Sequence, residues 1–177
     1  MKIYRILILL SIIGCATLPN TTEKNIEIQR LVKAQKFEIK NDWTMPVATN
    51  SMLLASGLLS PGDNVANINL NRNQSYFVMM NDSLSIYLPF YGERRIITTR
   101  FNDGGSIKFD GKPKSIKSSF NDKKNEHKFD IQFKDKRESY RIRLTIQGSG
   151  SSIISVSSAH RSSISYKGIV KPLKVIE

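Results

Sequence analysis

The stretch Tyr140-Arg141-Ile142-Arg143-Leu144-Thr145-Ile146-Gln147 alternates apolar and polar residues without a break. Successive side chains of an extended chain point to opposite faces, so this period of two predicts a half-buried β-strand. Tyr140, Ile142, Leu144 and Ile146 face a core, while Arg141, Arg143 and Thr145 face water. A helix would scatter the same residues around its axis and bury arginine.

Similar runs lie on both sides of it. Lys114 to Phe120, Lys128 to Phe133, Ser152 to Ser157 and Ser163 to Lys167 read as strands, with Asp122-Lys123-Lys124-Asn125, Asp135-Lys136-Arg137 and Gly148-Ser149-Gly150 as turns between them. Upstream, Val65 to Leu70, Ser75 to Met80, Ser83 to Leu88 and Arg95 to Phe101 give further strands. Asn81-Asp82 and Asp103-Gly104-Gly105 are the tight turns, and Ile107 and Phe109 share one face of the strand after the second turn. Phe37 and Ile39 alternate with charged residues in an opening strand that runs toward Trp43 and Pro46. Residues 50–64 read either as an apolar loop or as a strand with a tight turn at Ser60-Pro61-Gly62-Asp63. Before the strands, Asn20 with Glu23 forms a capping pair, and Ile28, Leu31 and Val32 fall on one face, which predicts a helix from about Thr21 to Gln35. The fold class is therefore mainly all-β: an antiparallel meander, barrel-like or folded as a sandwich, with one short N-terminal helix.

The N-terminus has a different grammar. Lys2 and Arg5 precede the apolar run Ile6 to Gly14, which ends at Cys15, the only cysteine. A charged start, a short apolar stretch and a small residue at the end form a secretory signal, and the run falls short of the roughly 20 residues a spanning helix needs. Ile12-Ile13-Gly14-Cys15 resembles the bacterial lipobox. That resemblance implies that residues 1–14 are removed, that the Cys15 thiol carries a diacylglycerol thioether, and that residues 15–20 tether a single domain spanning 21–177. No aspartate follows Cys15, which by the same analogy implies an outer-membrane anchor facing the periplasm. A lone cysteine excludes an internal disulfide, so the core must hold the domain in an oxidising compartment.

The formal charge is +12, and loss of Lys2 and Arg5 leaves +10. Such a surface attracts anions such as lipid phosphates or acidic glycans, or it keeps edge strands soluble. An envelope address excludes nucleic acid as a partner.

At Tyr87-Leu88-Pro89-Phe90-Tyr91-Gly92 the pattern becomes specific. With Phe37, Ile39 and Pro46 upstream, and Ser157, Arg161, Ile164-Ser165-Tyr166 and Gly168 downstream, it resembles the domain of unknown function 4251 family, mostly envelope lipoproteins of Bacteroides-like and Flavobacterium-like bacteria. The resemblance covers roughly Lys33 to Pro172. It implies a compact antiparallel β fold of lipocalin-like topology, with no known activity and no catalytic residue to carry over. Pro89 cannot donate to a ladder. The motif therefore reads as a structural corner where a strand leaves the sheet, or as the rim of a ligand pocket formed by Tyr87, Phe90 and Tyr91.

Chemistry is otherwise sparse. His127 and His160 lack partners at metal spacing and read as solvent-facing, so no metal or other cofactor is expected. The serines around His160 lack the embedding of a nucleophile, and Gly148 to Ser152 lacks the lysine of a phosphate loop. The sequence predicts a non-enzymatic, lipid-anchored binding module whose barrel interior or open mouth takes a small amphipathic or apolar ligand, with Tyr87, Phe90 and Tyr91 near the entrance. The alternative is an interaction protein that docks on another envelope component through an edge strand or through Met52 to Leu59.

Overall fold

The computed structural model describes residues 20–54, 57, 59–95, 105–135 and 138–173. Residues 1–19, and with them Cys15 and its tether, lie outside the described residues, as do most of the expected Arg95 to Phe101 strand and the Asp103-Gly104 and Lys136-Arg137 turn tips. Helix α1 (Asn20–Lys33) is followed by β1 (Lys36–Pro46), a short helix α2 (Asn50–Leu54), β2 (Ile68–Asn69), β3 (Tyr76–Met80), β4 (Ser83–Leu88), β5 (Ile107–Gly111) and β6 (Ser115–Asn121). A single 3₁₀ turn (Asp122–Lys124) leads to β7 (Glu126–Asp135), β8 (Glu138–Gln147), β9 (Ser151–Ser158) and β10 (Ile164–Lys171).

All pairings are antiparallel, and one sheet runs in the order β5-β4-β3-β1-β10-β9-β8-β7-β6, with β2 on β1. The expected meander is thus two meanders joined by the first strand, which inserts between β3 and β10. Among the described strands β5 and β6 end the sheet on opposite sides, yet only Lys112-Pro113-Lys114 joins them. Those residues span at most roughly 14 Å, so the sheet must curl until its edges approach. Phe109 of β5 meets Phe133 of β7 across the gap, with ring centroids 4.5 Å apart. The result is a curled half-barrel rather than a sandwich.

Alternation decides which residues fill it. Along β8, Tyr140, Ile142, Leu144 and Ile146 are buried while Arg141 and Arg143 are exposed. On β7, Phe129, Ile131 and Phe133 do the same. Phe37 of β1 packs against Phe77 at 6.4 Å and Phe129 at 6.1 Å, bridging the two meanders. Each such side chain contributes roughly 1.5–3 kcal/mol by leaving water. In β1 the register shifts between Asn41 and Trp43. This bulge swaps the faces, so Phe37, Ile39 and Asn41 point in before it and Thr44 and Pro46 after it. Gly168 lies opposite this irregularity, and a Cβ there would sit 2.3 Å from the Lys40 carbonyl oxygen. Strand and bulge approach this closely because position 168 has no side chain.

Helix α1 closes the lower end of the barrel. Ile28 and Val32 join the core, Gln29 Nε2 donates to Asn125 Oδ1 at 3.2 Å, and Gln35 ends the helix at φ 52°. Its bounds fall within two residues of the expected helix.

Three expectations need correction. Val65 to Leu70 supplies only the two-residue β2, because Asn64 and Asn67 pair with each other in a local turn. Residues 50–54 form a helical turn instead of loop or strand. His127 is buried at 6% exposure against Phe120, not solvent-facing, because the β6-β7 hairpin turns it inward beneath α1.

Candidate functional site

Strand β4 delivers Tyr87 and Leu88 to opposite faces. Leu88 enters the core, whereas Tyr87 stays on the outer face. The two-residue turn Asn81-Asp82, with Asn81 at φ 56°, sets the β3-β4 register so that Tyr76 stands opposite Tyr87. Their rings stack at 6.1 Å and 25°. Lys108 of β5 stands opposite Tyr87 on the other side and holds its ammonium 5.2 Å from the ring centroid. These groups, with Ser85, Asp110, Asp135 and the edge of Phe109, line an open groove of about 370 Å³ where β5 faces the end of β7. It offers two aromatic faces, one cation and two carboxylates.

After Leu88 the chain leaves the sheet, and the rest of the motif serves a neighbouring corner. The Pro89 carbonyl accepts a hydrogen bond from the fully buried Tyr166 hydroxyl at 2.8 Å. Tyr91 is half-buried against the core, and its hydroxyl accepts from Asn73 Nδ2 at 2.8 Å. Residues 93–95 pair with 160–162: Arg95 N donates to the His160 carbonyl at 2.8 Å and Ser162 N to the Glu93 carbonyl at 2.9 Å. Gly92 permits this approach, since a Cβ there would lie 2.5 Å from Ser162 Oγ and 2.7 Å from the Phe90 ring.

The Phe90 ring covers Arg161, whose guanidinium carbon sits 5.1 Å from its centroid and 5.7 Å from that of Tyr140. Arg161 is 4% exposed. Its Nε lies 3.1 Å from both oxygens of Glu138, and its Nη1 donates to the Gly105 carbonyl at 2.8 Å. The Ser158 hydroxyl donates to the same carboxylate. Burial pushes Glu138 up, but hydrogen bonds from Ser158 and Tyr140 together with the Arg161 charge outweigh it, and the carboxyl lies below the usual carboxylate value. Burial raises the Tyr140 and Tyr166 hydroxyls, so both stay protonated at neutral pH. The crevice between Phe90, Ile107, Tyr140, Val156, Arg161 and Ile164 holds no volume for a water molecule (0 Å³).

The structure therefore separates the sequence-singled residues. Tyr87 lines the outer groove, Pro89, Phe90 and Gly92 build the packed corner, and Tyr91 lies half-buried at its margin. Sequence reading missed Tyr76 and Lys108, the groove partners of Tyr87, and the Glu138–Arg161 pair. Tyr76 was within reach, because a two-residue turn at 81–82 dictates its pairing with Tyr87. Lys108 was not, since the long connection from Pro89 to Ser106 hides the β4-β5 register. His160 lies in the β9-β10 loop and its backbone N–H donates to Ser158 Oγ at 3.0 Å. Among the described residues no three His, Cys, Asp or Glu side chains gather in a metal-binding group.

A family model described as a domain of unknown function (DUF4251) matches residues 20–170. The fold is similar to the crystal structure of a DUF4251 family protein from Bacteroides eggerthii DSM 20697, with a TM-score of 0.57 and 14% identity over 85% of this chain and 88% of that one. No curated protein matches.

Proposed function

Since this chain belongs to the domain of unknown function 4251 family, we propose that it is a lipid-anchored protein of the cell envelope whose β domain is a non-catalytic binding module for a small amphipathic ligand. The ligand lies on the outer groove at Tyr76, Tyr87 and Lys108, not inside the barrel. One observation carries this reading: two stacked tyrosine faces and a lysine converge on about 370 Å³ of open space, within the size range of small-molecule sites. Apolar parts of a ligand stack on the rings, and Lys108 meets an anionic or strongly polar head. The anchor is the Cys15 thioether, facing the periplasm from the outer membrane, with residues 1–14 removed.

The test supplies an envelope lipid extract to the chain from residue 16 onward, washes it, and weighs the bound fraction by mass spectrometry. A retained small amphiphile that is lost in Tyr87→Ala is expected. Equal retention by wild type and Tyr87→Ala overturns the groove. A second reading, docking on an envelope protein, has its own observation: Leu53 and Leu54 of α2 stand 53% and 90% exposed. Cross-linking at those positions in cells tests it.

A further inference from the structure

A different surface emerges where β1, β10 and β9 lie side by side. The β1 bulge turns Trp43 outward, opposite Lys167 of β10, which in turn stands opposite Ile153 of β9. In the adjacent row Lys40 stands opposite Ile169. Lys171 ends the same face of β10, opposite the half-buried Glu38. Trp43, Ile153 and Ile169 are 37%, 42% and 45% exposed. Lys40, Lys167 and Lys171 are exposed as well and make no ion pair among the described residues. Neighbouring strands lie about 4.8 Å apart, so the three apolar side chains span one continuous area with lysines between them.

We propose that this face docks on an anionic lipid surface. The pattern distinguishes a lipid occupant from a protein one. A protein interface concentrates apolar residues at its centre and is depleted of lysine there, whereas Lys167 sits at the centre of this patch, between Trp43 and Ile153. Interleaving suits the headgroup boundary of a bilayer. There the indole lies at the interface, aliphatic side chains enter below it, and lysine stems follow them while their ammonium groups reach the lipid phosphates. The inference rests on the anchored reading only for the bilayer's being at hand.

Trp43 is the single tryptophan of the chain, so its emission reports this face alone. The experiment adds vesicles of phosphatidylethanolamine with phosphatidylglycerol, or of phosphatidylcholine alone, to the chain from residue 16 onward, which retains every described helix and strand. A blue shift is expected on the anionic vesicles and none on the neutral ones. Binding should weaken on the order of fivefold for each of Lys40→Gln, Lys167→Gln and Lys171→Gln and about a hundredfold for the three together, with the fold checked by circular dichroism. Ile153→Ser with Ile169→Ser should also weaken it, and Lys117→Gln, an exposed lysine of β6 away from this face, should not. No shift on anionic vesicles, an unchanged affinity in the triple lysine variant, or a shift produced by soluble polyglutamate but not by vesicles overturns the proposal. Protein taken from the envelope with an unmodified Cys15 would defeat the anchored reading and leave the vesicle result standing.

Discussion

Arg161 points its guanidinium at Glu138 across the top of the barrel, with Nε 3.1 Å from each carboxylate oxygen and both residues buried. The pair joins β8 to the β9-β10 loop and, through the Gly105 carbonyl, to the start of β5. It therefore fastens the β5 side of the curled sheet to the strands facing it. Substituting Arg161 by Ala leaves a buried carboxylate without its cation and should cost about 3–5 kcal/mol. The Glu138→Gln/Arg161→Met double variant should lose less than Arg161→Ala alone. Urea unfolding of these variants checks both statements.

The same pair sets an acid limit. Glu138 is depressed in the folded protein, so its contribution is fully present above the unfolded glutamate value of about 4.3 and is lost as pH falls through the lower folded value. Asp130, held low by hydrogen bonds from Arg141 and by its charge, has the same sign. The urea midpoint should fall on acidification below about pH 4.3, and Glu138→Gln/Arg161→Met should flatten that fall without abolishing it.

His127 works in the other direction. Burial, with the nearby Lys33 charge, holds its imidazolium below the usual histidine value, and its Nε2 has no hydrogen-bond partner among the described residues. The unfolded chain takes up a proton near pH 6.5 while the folded one does not, so stability declines as pH drops through about 6.5 toward the lower folded value. His127→Phe should remove that decline and raise stability at neutral pH by about 1 kcal/mol, measured by the same unfolding series.

Gly168 tests the β1 bulge. A methyl group there meets the Lys40 carbonyl and the Asn41 Cα, both backbone, so β1 and β10 must separate. Gly168→Ala should destabilise by roughly 1–3 kcal/mol, while Gly62→Ala should cost only the strain of its φ of 91°, since no described residue lies within 4 Å of a Cβ there.

Alternation made most of the strands legible. The side-chain period of β7 to β10 states directly which residues enter the core, and the capping pair with the Ile28 and Val32 stripe located α1. Strand order was hidden, because nothing local shows that β1 inserts between β3 and β10 or that β5 and β6, adjacent in sequence, end the sheet. Burial of His127 and of the Glu138–Arg161 pair was hidden for the same reason: polar residues read as outward until long-range neighbours supply partners. The aromatic motif was visible as a unit. Its division between groove and corner follows from Pro89, which takes the chain off the sheet immediately after Tyr87 and Leu88.

The account stands or falls on what the native protein carries. Native mass spectrometry of the protein recovered from its own envelope, wild type beside Tyr87→Ala, tests it most directly. Tyr87 lies on the outer face, so its removal leaves the core intact. The account expects an acylated Cys15 in both proteins and a non-covalent small amphiphile on the wild type alone. An unacylated chain with nothing bound, or the same adduct on both, would contradict it.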